Sequence, residues 1–92
     1  MVKLPPYNSL LALPGVGPKV CDDYRRLGIS SVNQVAVTDP EYLYSRLQAL
    51  DGPTDRCMLY VFRGAHYAAS EPQADPALLS WWQWKDRPAS AT

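Results

Sequence analysis

The chain has 92 residues, nine Lys and Arg against nine Asp and Glu, and 47 % apolar residues. That composition suits one small domain with a modest core, and no apolar run reaches the length needed to cross a membrane. The formal net charge of zero excludes a global basic field, so any affinity for nucleic acid has to come from a local patch and from backbone amides.

In the opening residues, Pro5, Pro6 and Pro14 interrupt the few leucines, which does not read as a secretory signal and leaves cytoplasmic residence as the expectation. After an extended Pro5-Pro6-Tyr7, Asn8 is placed to cap a first helix over residues 9–13. The run Leu13-Pro14-Gly15-Val16-Gly17-Pro18-Lys19 then reads as a hairpin. Gly15 and Gly17 remove side chains that would hold a partner off the backbone, and Pro18 suits the first position of a new helix. Free N–H groups at that helix start, on Val16, Gly17 and Lys19, make a seat for a phosphate, with the Lys19 ammonium beside it. The second helix, residues 18–27, carries Val20, Tyr24 and Leu27 on one face and ends at Gly28.

Ser31 and Gln34 have the spacing of a capping box and open a short third helix with Val32, Val35 and Ala36 on its apolar side. Asp39-Pro40 starts a fourth, striped by Leu43, Leu47 and Leu50 and stopped by Asp51-Gly52-Pro53. A fifth helix runs from about residue 54 or 55 to 69. It is apolar over most of its circumference, with Cys57, Val61, Ala65 and Ala68 in one stripe, and is therefore expected at the centre. Asp75-Pro76 opens a sixth, Trp-rich helix, and residues 88–92 read as a disordered tail.

Residues 50–57 align with residues 13–20: Leu50 with Leu13, Gly52 with Gly15, Arg56 with Lys19, and further on Val61 with Tyr24. This is a second, degenerate hairpin. Thr54 stands where the second glycine would be, and Asp55 falls in the first helical turn, where a carboxylate would occupy the helix start and repel phosphate.

Among the remaining residues, Arg25 and Arg26 extend a basic patch from the hairpin, opposed by the helical pairs Asp22–Arg26 and Lys19–Asp23. Arg63, in the most apolar helix, is expected to meet Asp55, another carboxylate, or carbonyls at a helix end. Of the three indoles at least one is expected in the core. Exposed ones, with Trp81 and Trp84 as candidates, would mark a partner surface. Cys21 and Cys57 have no metal-ligand spacing and read as buried free thiols, with no disulfide expected in a cytosolic setting. Asp22 and Asp23 point about 100° apart on a helix, which does not make a metal site. No base is assured within reach of Cys57, His66 being nine positions on, so no enzymatic activity, cofactor or metal is expected.

The hairpin resembles the helix-hairpin-helix motif of proteins that bind DNA without regard to sequence. Asp55-Arg56-Cys57-Met58-Leu59-Tyr60-Val61-Phe62-Arg63 and the ending Asp75-Pro76-Ala77-Leu78-Leu79 with Trp81-Trp82-Gln83-Trp84-Lys85-Asp86 resemble the small bacterial pathogenicity-locus proteins, a helix-hairpin-helix family. Some of its members carry a mitomycin-resistance label. The resemblance runs from about residue 10 to residue 86. It implies DNA-backbone contact at Gly15, Val16, Gly17 and Lys19, a place in DNA damage tolerance, and no catalytic residue.

The expectation is thus an all-α single domain over residues 1–92, with its core in residues 8–86. It is a tandem helix-hairpin-helix (SAM-like) bundle of five to six helices, the second hairpin degenerate and the last helix Trp-rich. The leading function is weak, sequence-independent contact with a nucleic-acid backbone. The alternative is a protein-interaction adaptor that does not touch DNA. Neither reading involves a membrane.

Overall fold

A computed structural model describes residues 9–71 and 73–85, without the side chain of Trp81. Among them the chain is all-α, with four α-helices: α1 (Pro18–Arg26), α2 (Val32–Val37), α3 (Pro40–Asp51) and α4 (Arg56–Ser70). The five to six helices expected from the sequence are not formed. Leu10–Ala12, Pro76–Leu78 and Trp81–Trp84 are single 3-10 turns.

The shortfall has local causes. Pro14 disfavours helical angles at Leu13, which is extended at φ −68° and ψ 140°. The few residues before it cannot repay the nucleation of an α-helix, and a 3-10 turn forms instead. At the other end the chain is extended at Ser80, φ −81° and ψ 128°, splitting the expected Trp-rich helix in two. That bend returns Trp84 toward Leu78, whose carbonyl accepts its indole N–H at 2.8 Å. The tail expected at residues 88–92 lies outside the described residues.

The remaining starts and stops follow their local chemistry. Ser31 and Gln34 form the reciprocal capping box at the start of α2. Asp39 accepts the Glu41 N–H ahead of α3. After α1, Ile29 N–H donates to Tyr24 O at 2.8 Å and Gly28 N–H to Arg25 O at 3.0 Å, the paired bonds of a Schellman ending.

The most apolar helix is central, as its circumference implies. α4 packs against α2, α3 and the Trp81–Trp84 turn. Its small residues Gly64, Ala65 and Ala68 are buried, as is Phe62, whose ring lies 4.9 Å from that of Tyr24. Tyr24 is wholly buried, and its hydroxyl has no hydrogen-bond partner among the described residues. Burial pushes that hydroxyl's pKa well above its ordinary value. The first turn of α4 is exposed, so Cys57 is not the buried thiol expected; Cys21 is buried, and both are free. Leu50, counted in the α3 stripe, is likewise exposed, while Leu43 and Leu47 are buried.

Arg63 fastens the C-terminal segment to this centre. Its Nη2 and Nε donate to Glu41 at 2.6 and 3.1 Å, and its Nη1 donates to the carbonyl of Trp84 at 2.9 Å. The Trp84 ring lies 5.2 Å from Tyr67, whose hydroxyl accepts the Asp75 N–H. His66 Nδ1 lies 3.0 Å from the Val35 carbonyl, a contact that ties α4 to α2.

Candidate nucleic-acid interface

Leu13 to Lys19 turn the chain in two steps. Pro14 and Gly15 fill the centre of a β-turn closed by Val16 N–H to Leu13 O at 3.1 Å. Gly15 has φ +79°, the positive angle that a type II turn requires at its third residue. Gly17 then caps α1 from an extended conformation, φ −96° and ψ −173°, and supplies no side-chain hydrogen bond. Its carbonyl accepts the first helical bond, from Cys21 N–H at 2.9 Å.

The helix therefore begins with its donors uncapped. Among the described residues, the N–H groups of Gly15, Gly17, Lys19 and Val20 have no hydrogen-bond partner. Pro18, between them, has none to offer. Val16 is different. Its amide is spent on Leu13 and its side chain is buried, so the donor expected at Val16 is not free, whereas that of Val20 is. The Pro-Gly pair carried that information, because a type II turn commits the amide of its fourth residue.

Gly17 has a second property of interest. A Cβ built there would meet nothing within 4 Å. Its backbone angles suit any residue, so neither packing nor conformation inside the protein calls for glycine. What a side chain would obstruct is an approach from outside.

The cations around this turn differ in how they are engaged. Lys19 Nζ lies 3.1 Å from Asp23 Oδ2, yet the lysine side chain is 82 % exposed and the aspartate 3 %. Arg26 does not pair with Asp22. It reaches Asp23 Oδ1 at 3.3 Å and clasps Asp51 with both terminal nitrogens, at 3.0 and 2.5 Å. Those hydrogen bonds hold the Asp51 carboxyl below the usual carboxylate range and raise Arg26. Arg26, expected as an auxiliary basic residue, is thus engaged by two carboxylates. Arg25 is exposed with no ion pair among the described residues. It lies on the wall of a cleft of about 230 Å³ shared with Leu10, Cys21 and Ser31.

The second turn supplies its own helix cap. Gly52 has φ +81° and ψ −164°, matching the positive φ of Gly15. From there the chain takes one residue more than the first turn to reach its helix, so Asp55 is the cap itself and not a first-turn residue. Its carboxylate accepts Cys57 N–H at 2.9 Å and its carbonyl accepts Met58 N–H at 3.0 Å. The bond from Cys57 N–H lowers the pKa of Asp55, and the carboxylate in turn raises the Cys57 thiol. Thr54 Oγ1 donates to Gly52 O, and Tyr44 OH donates to Thr54 O. The helix donors of Cys57 and Met58 are thus taken by the cap, while the N–H groups of Thr54, Asp55 and Arg56 have no hydrogen-bond partner among the described residues.

The other candidates separate. Trp84 is 1 % exposed and cannot form the partner surface expected of it; the side chain of Trp81 lies outside the described residues. Trp82 is 58 % exposed. Cys57 and His66 both sit on α4, about 13 Å apart along its axis, too far for a nucleophile and its base. Among the described residues no group of His, Cys, Asp or Glu is arranged to hold a metal ion, and no helix is long and apolar enough to span a membrane.

A family model described as Cdd1, pathogenicity locus, matches residues 6–89. The chain belongs to the Cdd1 pathogenicity-locus family. The match takes in both turns, all four α-helices and the Trp84 anchor, so the open first turn and the capped second turn both lie within the Cdd1 region. Neither a curated protein nor a solved structure matches the chain.

Proposed function

We propose that this Cdd1-family protein holds a phosphate of a nucleic-acid backbone against the start of α1, without reading base sequence and without catalysing a reaction. The observation that carries this reading is the set of uncapped amides of Gly17, Lys19 and Val20 at the positive end of a helix dipole. Two further features support it. Gly17 leaves the approach clear at a position where the fold does not need glycine. The exposed Lys19 ammonium supplies charge at the same end of α1.

With zero net charge and one or two phosphates engaged, affinity is weak and falls gently with salt, at a log–log slope of about −0.9 per phosphate. A second copy or a partner module would raise it through effective concentration. Fluorescence anisotropy on a labelled duplex, titrated with salt, tests the proposal. The wild type binds with a slope of about −1 to −2, and Lys19→Glu weakens binding about tenfold or more on every sequence tried. Equal affinities for the two proteins remove the reading. The exposure of Trp82 favours a second one, a protein-interaction module, which gains if the duplex is ignored and Trp82→Ala abolishes capture of a defined partner.

A further inference from the structure

Asp23 is a buried carboxylate with two cations, one on each oxygen. Lys19 takes Oδ2 at 3.1 Å and Arg26 takes Oδ1 at 3.3 Å. The two cations are held very differently. Arg26 is fixed from its far side by the two-pronged bond to Asp51, which spans from the end of α1 to the end of α3. Lys19 has no second anchor among the described residues, is 82 % exposed, and carries its charge on a flexible stem.

A cation that alone neutralises a buried carboxylate cannot leave it cheaply, because the stranded charge is strongly destabilising. Here departure of Lys19 leaves Arg26 in place. We infer that Lys19 is an exchangeable cation: Arg26, braced by Asp51, keeps Asp23 paired, so the Lys19 ammonium can turn from Asp23 to a phosphate at the start of α1. Arg26 and Asp51 are then positioning residues for the anion site, although neither touches the anion. The inference rests on the phosphate reading above, and it accounts for a site that places a carboxylate within reach of its own lysine.

Two measurements on the full-length protein test it. The first needs no nucleic acid: thermal unfolding of the wild type, Lys19→Ala, Arg26→Gln and the double variant. Lys19→Ala alone melts close to the wild type. The double variant loses about 4 °C or more beyond the sum of the single losses, because only then is Asp23 left unpaired. The second is duplex binding. Arg26→Gln weakens it about as much as Lys19→Ala, since Lys19 is now bound to Asp23. Adding Asp23→Asn to Arg26→Gln returns affinity to within about twofold of the wild type, whereas Asp23→Asn alone changes it far less.

An additive unfolding cycle, or an Asp23→Asn effect of equal size in both backgrounds, overturns the exchange while leaving the phosphate reading intact. A wild type that ignores the duplex removes the reading, and the exchange with it.

Discussion

At residues 13–19 and again at residues 50–56 the chain leaves a leucine, passes a glycine with φ near +80°, and starts a helix. One extra residue and one carboxylate separate the outcomes. The first turn reaches α1 through Gly17, which offers no side chain, and the helix donors stay open. The second reaches α4 through Asp55, whose oxygens take the N–H groups of Cys57 and Met58. The same backbone manoeuvre gives either a self-capped helix start or an uncapped one, depending on whether the cap residue brings a carboxylate; on the proposed function the uncapped start is the anion seat. The fold determines where donors lie, and the cap residue determines for whom.

The largest expected effect comes from moving the cap. Gly17→Asp places a carboxylate where the backbone is already extended and a Cβ meets open space. Duplex affinity falls about tenfold or more while stability holds or rises by about a few tenths of a kcal/mol, because the new side chain caps α1. Anisotropy and urea unfolding of one preparation read both. A parallel loss of stability and binding would break the comparison.

Next come the glycines themselves. Gly15→Ala and Gly52→Ala each force a side chain into a positive-φ conformation, at a cost of about 1–3 kcal/mol by urea unfolding. Gly15→Ala also weakens duplex binding and Gly52→Ala does not. A smaller effect is expected at Tyr24. Its hydroxyl is buried without a partner among the described residues, so Tyr24→Phe raises stability by about 0.5–1 kcal/mol. The last is a pH dependence. Asp51 and Asp55 have carboxyl pKa values lowered in the folded protein, by Arg26 and by the Cys57 N–H. Their contributions are complete above the ordinary carboxylate range, about pH 4, and are lost as the pH falls through the lower folded values. Asp55→Asn, which keeps a capping oxygen, therefore flattens the acid limb of urea midpoints measured from pH 5 to about pH 2.

What could be read from the sequence was whatever depends on neighbours along the chain. Ser31 with Gln34, Asp39 before Pro40, and Gly28 after Leu27 act within a turn of where they stand, and each does what its spacing implies. The pair Lys19–Asp23 belongs to the same class. Bonds across the fold were legible only in kind: a carboxylate or a helix-end carbonyl was expected for Arg63, but not which ones. Arg63 chose Glu41 and the Trp84 carbonyl, 22 and 21 positions away, and Arg26 chose Asp51, 25 away. Which carboxylate an arginine meets depends on how α1, α3 and α4 pack, and no periodicity encodes that. Helix count failed for a related reason. Segments of three or four residues take their form from what they must reach, as Trp84 does. The committed amide of Val16 stands apart, since Pro14-Gly15 announced its turn and the reading of free donors passed over it.

The carbonyl that receives Arg63 belongs to the main chain at Trp84. An exchange of side chain at that position keeps the oxygen in the chain, though not the ring packing on Tyr67 and the indole bond to Leu78 that hold it in place. Shortening removes the oxygen itself. A protease that trimmed the protein back past residue 84 would strip a guanidinium in the interior of one acceptor while leaving the glycine turn before α1 intact. Trimmed and whole forms would then differ in how long they last while sharing the same turn, which makes the segment through residue 84 a condition for persistence.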